Sequence, residues 1–462
     1  MKKRIIDFLI VLNMVVCMAG FGMQKAYAGS VPHNGNAAGP ASIDDAATVS
    51  YNISLYEEEW YIEALKAGTL STGTNGRFEN FIRKLQKGKK VTIAFIGGSV
   101  TEGGGVLDPA QSYGDQFIAS LGEKYPKAKI EYVNAGVGGT SSAIGALRYD
   151  RDVTKKCSKT PDLVVVEFSV NDQEDPTNGR AYESLIRQIL ETDDETAVVQ
   201  MFAVFKSRWN TEDLYKPVGI LYGTPMVSVK EGTQAAFEAG YLNNELYFSD
   251  DYHPTALGHK IMADTLMNLV NEVDDAVAAG TATKSIAPVP ATYFYSPDFL
   301  NMKLVSSKDS NGAKVTKGSF SQTDTQVHAL VRNGEVTFPY NWSHDVNSNE
   351  SFVLEVTCKN ILFDYKRSIS DEYGKAEIYV DGELVAVLDG YKSDAWNNSY
   401  IELVYDSQEV AKHKLEVRMA EEDKDKKFTI LGIAYSDKKM TYTQDPIVLE
   451  YTTGSENTAP SN

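Results

Sequence analysis

The sequence predicts an α/β domain built on a parallel sheet, followed by an all-β sandwich domain. Three observations carry that prediction. Between residues 78 and 279, apolar and β-branched runs with little polar alternation take turns with helical patterns, as expected for strands buried on both faces. Residues 280–292, "GTATKSIAPVPAT", form a linker of small residues and prolines. From residue 293 onward the helical patterns stop and short strands follow one another, which is the pattern of a sandwich.

Composition bounds the rest. The 462 residues are 42% hydrophobic and 23% charged, a globular balance. The net charge of −18, from 63 acidic and 45 basic residues, argues against a nucleic-acid partner and against strongly anionic substrates.

Taken in order, residues 1–28 read as a signal peptide. Lys2, Lys3 and Arg4 precede an apolar run from Ile5 to Met23, and "AYA" supplies a small-residue cleavage site. Asp7 and Asn13 interrupt the run, which favours a cleaved leader over a retained anchor. The expectation is a secreted protein without a membrane span after cleavage. Residues 29–77 read as a linker with a short amphipathic helix in "SLYEEEWYIEALKAG". In the α/β domain, 78–279, the strand candidates are Val91–Ile96, Ile130–Asn134, Leu163–Phe168, Ala197–Phe205 and Pro225–Val229. Helical patterns cover Tyr113–Tyr125, Ser141–Val153, the segment "AYESLIRQILE" and Pro254–Val273. The β domain, 293–440, contains "SFVLEVTCKNILFDY" and "KAEIYVDGELVAVLDGY", the latter with an Asp381-Gly382 hairpin turn. Residues 441–462 read as a mostly disordered tail. Cys157 and Cys358 are expected to be isolated thiols, and no metal-site motif or cofactor requirement is evident.

The chemistry starts from "VTIAFIGGSVTEGGG", Val91–Gly105. A buried strand breaks into a glycine-rich turn around Ser99, at the strand's carboxyl end, where ligands bind in parallel α/β sheets. Taken alone, the turn suits a nucleophile, a phosphate-cradling loop or a tight turn equally well, although it lacks the P-loop lysine. A serine nucleophile needs a base. His253, in "SDDYHPTALGHK", stands in the loop before a helix whose first residue is expected to be Pro254, and Asp250 can turn back onto its ring. His259 is expected to be structural or exposed. Gly139, in "NAGVGGT", and Asn171, in "EFSVND", follow the next two strands and could donate a backbone N–H and a side-chain amide; singly, each is also an ordinary turn residue.

Together Ser99, Gly139, Asn171 and His253 resemble the four sequence blocks of the SGNH (GDSL-like) hydrolase superfamily, over about Lys89 to Val270. The resemblance implies a flavodoxin-like three-layer fold and a serine esterase. It makes Ser99, Asp250 and His253 the catalytic residues, and the Ser99 N–H, the Gly139 N–H and the Asn171 side chain the oxyanion hole. Gly98 stands where the Gly-Asp-Ser core has aspartate, and "SVND" departs from the usual Gly-x-Asn-Asp. The motifs and the added β domain are more similar to bacterial carbohydrate acetylesterases of that superfamily than to its lipases.

The expected substrate is an O-acetylated carbohydrate, xylan- or mannan-like. The alternatives are a lipase, acylhydrolase or thioesterase on the same fold, and a non-catalytic glycan-binding protein with a relic hydrolase domain. Tyr340, Trp342, Tyr391 and Trp396 are the candidate carbohydrate-binding aromatics of the β domain, unless they serve its core. If that domain is a tethered module, truncation near Ala287 should spare small esters and slow only polymer hydrolysis. The oligomeric state is left open.

Overall fold

The structure, a computed structural model, describes residues 55–56 and 58–438. The expected leader, most of the first linker and the expected tail lie outside the described residues.

The α/β domain runs α1 (Glu59–Gly68), β1 (Thr69–Ser71), α2 (Arg77–Gln86), β2 (Lys90–Gly97), α3 (Ser99–Glu102), α4 (Tyr113–Lys124), β3 (Lys129–Gly136), α5 (Ser142–Tyr149), β4 (Leu163–Glu167), α6 (Arg180–Thr192), β5 (Ala197–Phe202), α7 (Glu212–Tyr222), β6 (Met226–Ser228), α8 (Val229–Glu238), α9 (Asn244–Tyr247) and α10 (Ala256–Ala278). Its sheet has the order β1-β6-β5-β4-β2-β3, with β2 to β6 parallel and β1 antiparallel at one edge. The parallel part is the flavodoxin-like order, whose direction of winding reverses between β2 and β4. Each central strand feeds two cores. Ile93 and Phe95 of β2 join one apolar cluster, while Ala94 and Ile96 join another on the opposite face, which is why these strands show no polar alternation. Strand β1 falls in a segment expected to be linker. It is visible only through its pairing with β6, Thr69 to Val227, since three residues carry no periodicity of their own.

The β domain holds β7 (Lys303–Val305), β8 (Lys314–Thr316), β9 (Trp342–Ser343), β10 (Phe352–Arg367), β11 (Lys375–Val380), β12 (Glu383–Asp389), β13 (Asn398–Met419) and β14 (Thr429–Ser436). They form one continuous antiparallel sheet, with β12-β11-β13-β10-β14-β7 as its main path. The Asp381-Gly382 turn joins β11 to β12, with both residues at positive φ, as the hairpin motif requires. Strand β10 changes phase at a register shift between Cys358 and Asn360. Before it, Phe352, Leu354, Val356 and Cys358 face the domain's core; after it, Ile361, Phe363 and Tyr365 do. The other side of that second half is also covered. Leu362, with Ile401, Leu431 and Ala434, packs against Val137, Ala143, Ile144 and Ala181 of the α/β domain in one shared apolar cluster. Cys157 and Cys358 are free thiols, as expected, and burial raises them to about 11 and about 12. No helix among the described residues is long and apolar enough to cross a membrane.

Candidate active site

Three adjacent strand ends set the site. Gly97, the last residue of β2, is in register with Gly136 of β3 on one side and Glu167 of β4 on the other. Ser99, Gly139 and Asn171 follow these residues by two to four positions, so one edge of the sheet presents all three. Arg148, fully buried, ties that edge together by donating to the carbonyl oxygens of Ala135 at 2.5 Å and Gly97 at 2.7 Å.

Ser99 opens the short helix α3, and the Gly103 and Gly104 amides donate back to its carbonyl at 3.0 and 2.7 Å. The glycines around it make room for partners. A Cβ on Gly98 would lie 1.9 Å from Asn171 Oδ1, so the glycine before the serine lets the amide stand where it does. A Cβ on Gly104 would lie 2.5 Å from His253 Cδ2, so the glycine run lets the imidazole approach.

His253 Nε2 lies 2.9 Å from Ser99 Oγ, and its Nδ1 lies 2.8 Å from Asp250 Oδ2. The other Asp250 oxygen accepts from the backbone N–H groups of Tyr252 and His253 at 2.7 and 2.8 Å. Burial works to raise the Asp250 carboxyl, but the His253 ring and these two amides outweigh it and hold it below the usual carboxylate range. Asp250 is therefore an acceptor, which makes Nδ1 the protonated nitrogen and leaves Nε2 to accept from the serine. Asp251 instead points to solvent beside Lys206, 3.4 Å away. The loop is closed by a bridge between Phe248 and Pro254, and helix α10 starts at Ala256 with Thr255 as its cap, Oγ1 accepting from the Gly258 amide. Pro254 thus precedes the helix rather than opening it, because the strand-like bridge and the Thr255 cap take its place.

His259 is structural. Its Nδ1 accepts from the Tyr113 amide at 3.1 Å and its Nε2 donates to the Gly104 carbonyl at 2.9 Å. Burial lowers it to about 4, so it is neutral and holds the glycine turn against α4.

Asn171 begins a 3-10 turn after β4. Its neighbour Asp172 is buried, accepts from the Ser142 amide at 2.7 Å and from the Tyr215 hydroxyl, and so anchors the start of α5 beyond the Gly139 loop. Gly139 has φ +69. Two groups meet this loop: Glu102, which the sequence reading did not single out, and Trp396, which it named only as a candidate glycan-binding aromatic. Glu102, three residues after Ser99, accepts the Gly138 N–H, and the Trp396 indole lies against Gly138 and Gly139. The "SVND" and "SVTE" strings, each with a carboxylate one or three residues past a site residue, were the available signals for Asp172 and Glu102.

The four candidate aromatics divide. Trp342 is 2% exposed and stands edge-on to Phe352 in the β-domain core, so it cannot meet a glycan. Tyr340 and Tyr391 are exposed, with the Lys308 ammonium 4.6 Å from the Tyr340 ring. Trp396 is half-buried on the Gly139 loop. A different set of rings adjoins the histidine: exposed Tyr252, 6.4 Å from the His253 ring, stands edge-on to Phe205, which stacks on exposed Trp209. Among the described residues, no three His, Cys, Asp or Glu side chains cluster as metal ligands would.

Hydroxyl, imidazole and carboxylate in one hydrogen-bonded line, with the Asn171 amide against the preceding Gly98, can generate an oxygen nucleophile and stabilise an oxyanion. No curated protein sequence matches the chain. Among solved structures, a two-domain esterase (CEX) active on acetylated mannans is 26% identical, with a TM-score of 0.72 over 81% of this chain and 99% of that one. The same esterase co-crystallised with mannopentaose is 25% identical, with a TM-score of 0.70 over 82% of this chain and 99% of that one. Residues 95–261 match the GDSL-like Lipase/Acylhydrolase family, and across both domains the chain is similar to a two-domain esterase.

Proposed function

We propose that the protein is a secreted serine esterase that removes O-acetyl groups from polysaccharides or oligosaccharides, mannan-like ahead of xylan-like. The observation that carries this reading is the hydrogen-bonded line Asp250–His253–Ser99 at the sheet edge, with Asn171 beside Gly98. In this reading Ser99 Oγ bonds to the ester carbonyl carbon while His253 Nε2 takes its proton. The carbonyl oxygen becomes an oxyanion, received by the Ser99 and Gly139 N–H groups and the Asn171 amide. The C–O bond to the sugar breaks, and the sugar oxygen leaves with the proton from His253. Water then attacks the acetyl-serine, passes a proton to His253, and acetate departs as the proton returns to Ser99. The likeness to an esterase active on acetylated mannans supports the acetylated glycan. Sugar faces would find the Tyr252, Phe205 and Trp209 rings next to the reacting centre, a placement that Trp342 lacks.

Acetate release from acetylated mannan and acetylated xylan, run beside p-nitrophenyl acetate and palmitate, tests the reading. It expects release from mannan, faster turnover of the acetate than of the palmitate, and a raised KM on mannan alone for Tyr252→Ala. A preference for the palmitate would make the protein a lipase, and no turnover of any ester would make it a binding protein.

A further inference from the structure

The β domain holds the loop beside the candidate site through a buried carboxylate. Glu102 closes helix α3, three residues beyond Ser99, and is 8% exposed. Three N–H groups converge on it. Gly138 N donates to Oε2 at 2.6 Å, His328 Nε2 donates to the same oxygen at 3.1 Å, and Val331 N donates to Oε1 at 2.8 Å. The first donor belongs to the loop that carries Gly139; the other two belong to the β domain. Burial favours the neutral acid, but the His328 ring and the two amides outweigh it and hold the Glu102 carboxyl below its usual range. The loop also meets the β domain directly. A Cβ on Gly138 or Gly139 would lie 3.0 or 2.9 Å from the Trp396 ring, which in turn stands edge-on to His328 with 4.7 Å between centroids. Arg332, next to Val331, fixes this segment on the α/β domain by donating to both oxygens of Asp115, at 3.0 and 2.6 Å.

Two adjacent glycines make a pliant loop, and Gly139 sits at a φ of +69 that few other residues adopt. The direction of its N–H therefore depends on what holds the peptide before it. That holder is Glu102, and Glu102 is held in turn by the β domain.

We infer that Glu102 is a positioning residue through which the docked β domain sets the Gly138–Gly139 loop to receive the oxyanion. The inference rests on the serine-esterase reading above. It makes the β domain part of the reaction centre for every ester, including those too small to touch a glycan-binding surface.

The test is kcat and KM of the full-length protein on p-nitrophenyl acetate, with melting temperatures alongside. Displacing an oxyanion donor by about 1 Å can cost up to ~10²-fold. Glu102→Gln places an NH₂ against N–H donors, so kcat should fall roughly ten- to a hundredfold while KM changes by less than about threefold. His328→Ala should lower kcat in the same way, and His328→Gln, whose amide can donate to the same oxygen, should recover most of it. A folded Glu102→Gln protein with the parent kcat, or with its loss confined to KM, overturns the inference. If Glu102→Gln does not fold, the histidine pair decides: equal kcat for His328→Ala, His328→Gln and the parent overturns it. A Ser99→Ala control separates the two levels. Turnover that Ser99→Ala leaves intact overturns the serine-esterase reading and this inference with it; turnover that needs Ser99 but ignores Glu102 and His328 overturns this inference alone.

Discussion

The two sheets bury their strands on both faces for different reasons, and the difference bears on what the β domain is for. Strand β2 is apolar on both sides because each side meets an apolar core of its own domain. Strand β10 alternates through Thr357, turns over at the shift after Cys358, and is then buried on both sides with polar residues among the apolar ones. Those polar groups are paired: Lys359 with Asp298, Asn360 with the Asp298 carbonyl at 3.0 Å, Asp364 with the Ser399 hydroxyl at 2.6 Å, and Lys366 with Asp324 at 2.8 Å. A module swinging on a tether would leave that face in water. This one shares an apolar cluster with α5 and α6 and reaches Glu102 and Gly139. Truncation near Ala287 is therefore no longer expected to spare small esters.

The comparison can be sharpened first at the histidine loop, where Asp250 and Asp251 are neighbours in sequence but not in environment. Asp250→Asn should lower kcat by about 10⁴-fold, because an amide no longer fixes the imidazole tautomer. Asp251→Asn, at an exposed ion pair, should leave kcat within about twofold, since such pairs contribute little. Steady-state kinetics on p-nitrophenyl acetate check both; equal losses would break the assignment.

The next contrast lies within β10. Leu362→Ala opens a cavity in the cluster shared by the two domains and should cost about 2–5 kcal/mol in a urea melt. Thr357→Ala, on the exposed side of the first half, should stay within about 0.5 kcal/mol. Similar values for the two would mean that the shared cluster does not hold the domains together.

The two histidines offer a smaller contrast. His259, buried and lowered to about 4, stays neutral in the fold, while in the unfolded chain it protonates near pH 6.5. The unfolded state binds the extra proton between these values, so stability falls as pH drops from about 6.5 to 4, by up to ~3 kcal/mol. Urea melts of the parent and of His259→Gln should differ most at pH 7 and converge toward pH 4; a constant difference would contradict the neutral, backbone-bonded His259.

Much of this was legible in the sequence, for physical reasons. Strands buried on both faces announce themselves as unbroken apolar runs, and a glycine-flanked serine after such a run has few uses. Ser99, Asp250 and His253 are local signals, and the structure brings them together within hydrogen-bond reach. Strand β1 is too short to carry a period, and Pro254 looked like a helix start because the bridge to Phe248 is a pairing that only the fold reveals. Trp342 and Trp396 are indistinguishable as letters, yet one lies in a core and the other on a loop of the other domain. Glu102 was passed over because its partners lie 36 to 229 positions away.

The central claim, that Ser99 attacks the ester, is tested most directly by covalent capture. The full-length protein is treated with a fluorophosphonate, digested and mapped by mass spectrometry. The account predicts a phosphonyl adduct on Ser99, formed far more slowly in His253→Ala and absent from Ser99→Ala, with Ser99→Ala turning over p-nitrophenyl acetate at least about 10⁵-fold more slowly than the parent while melting at the same temperature. An adduct on another serine with Ser99 unmodified, or a well-folded Ser99→Ala protein that retains the parent rate, would contradict it.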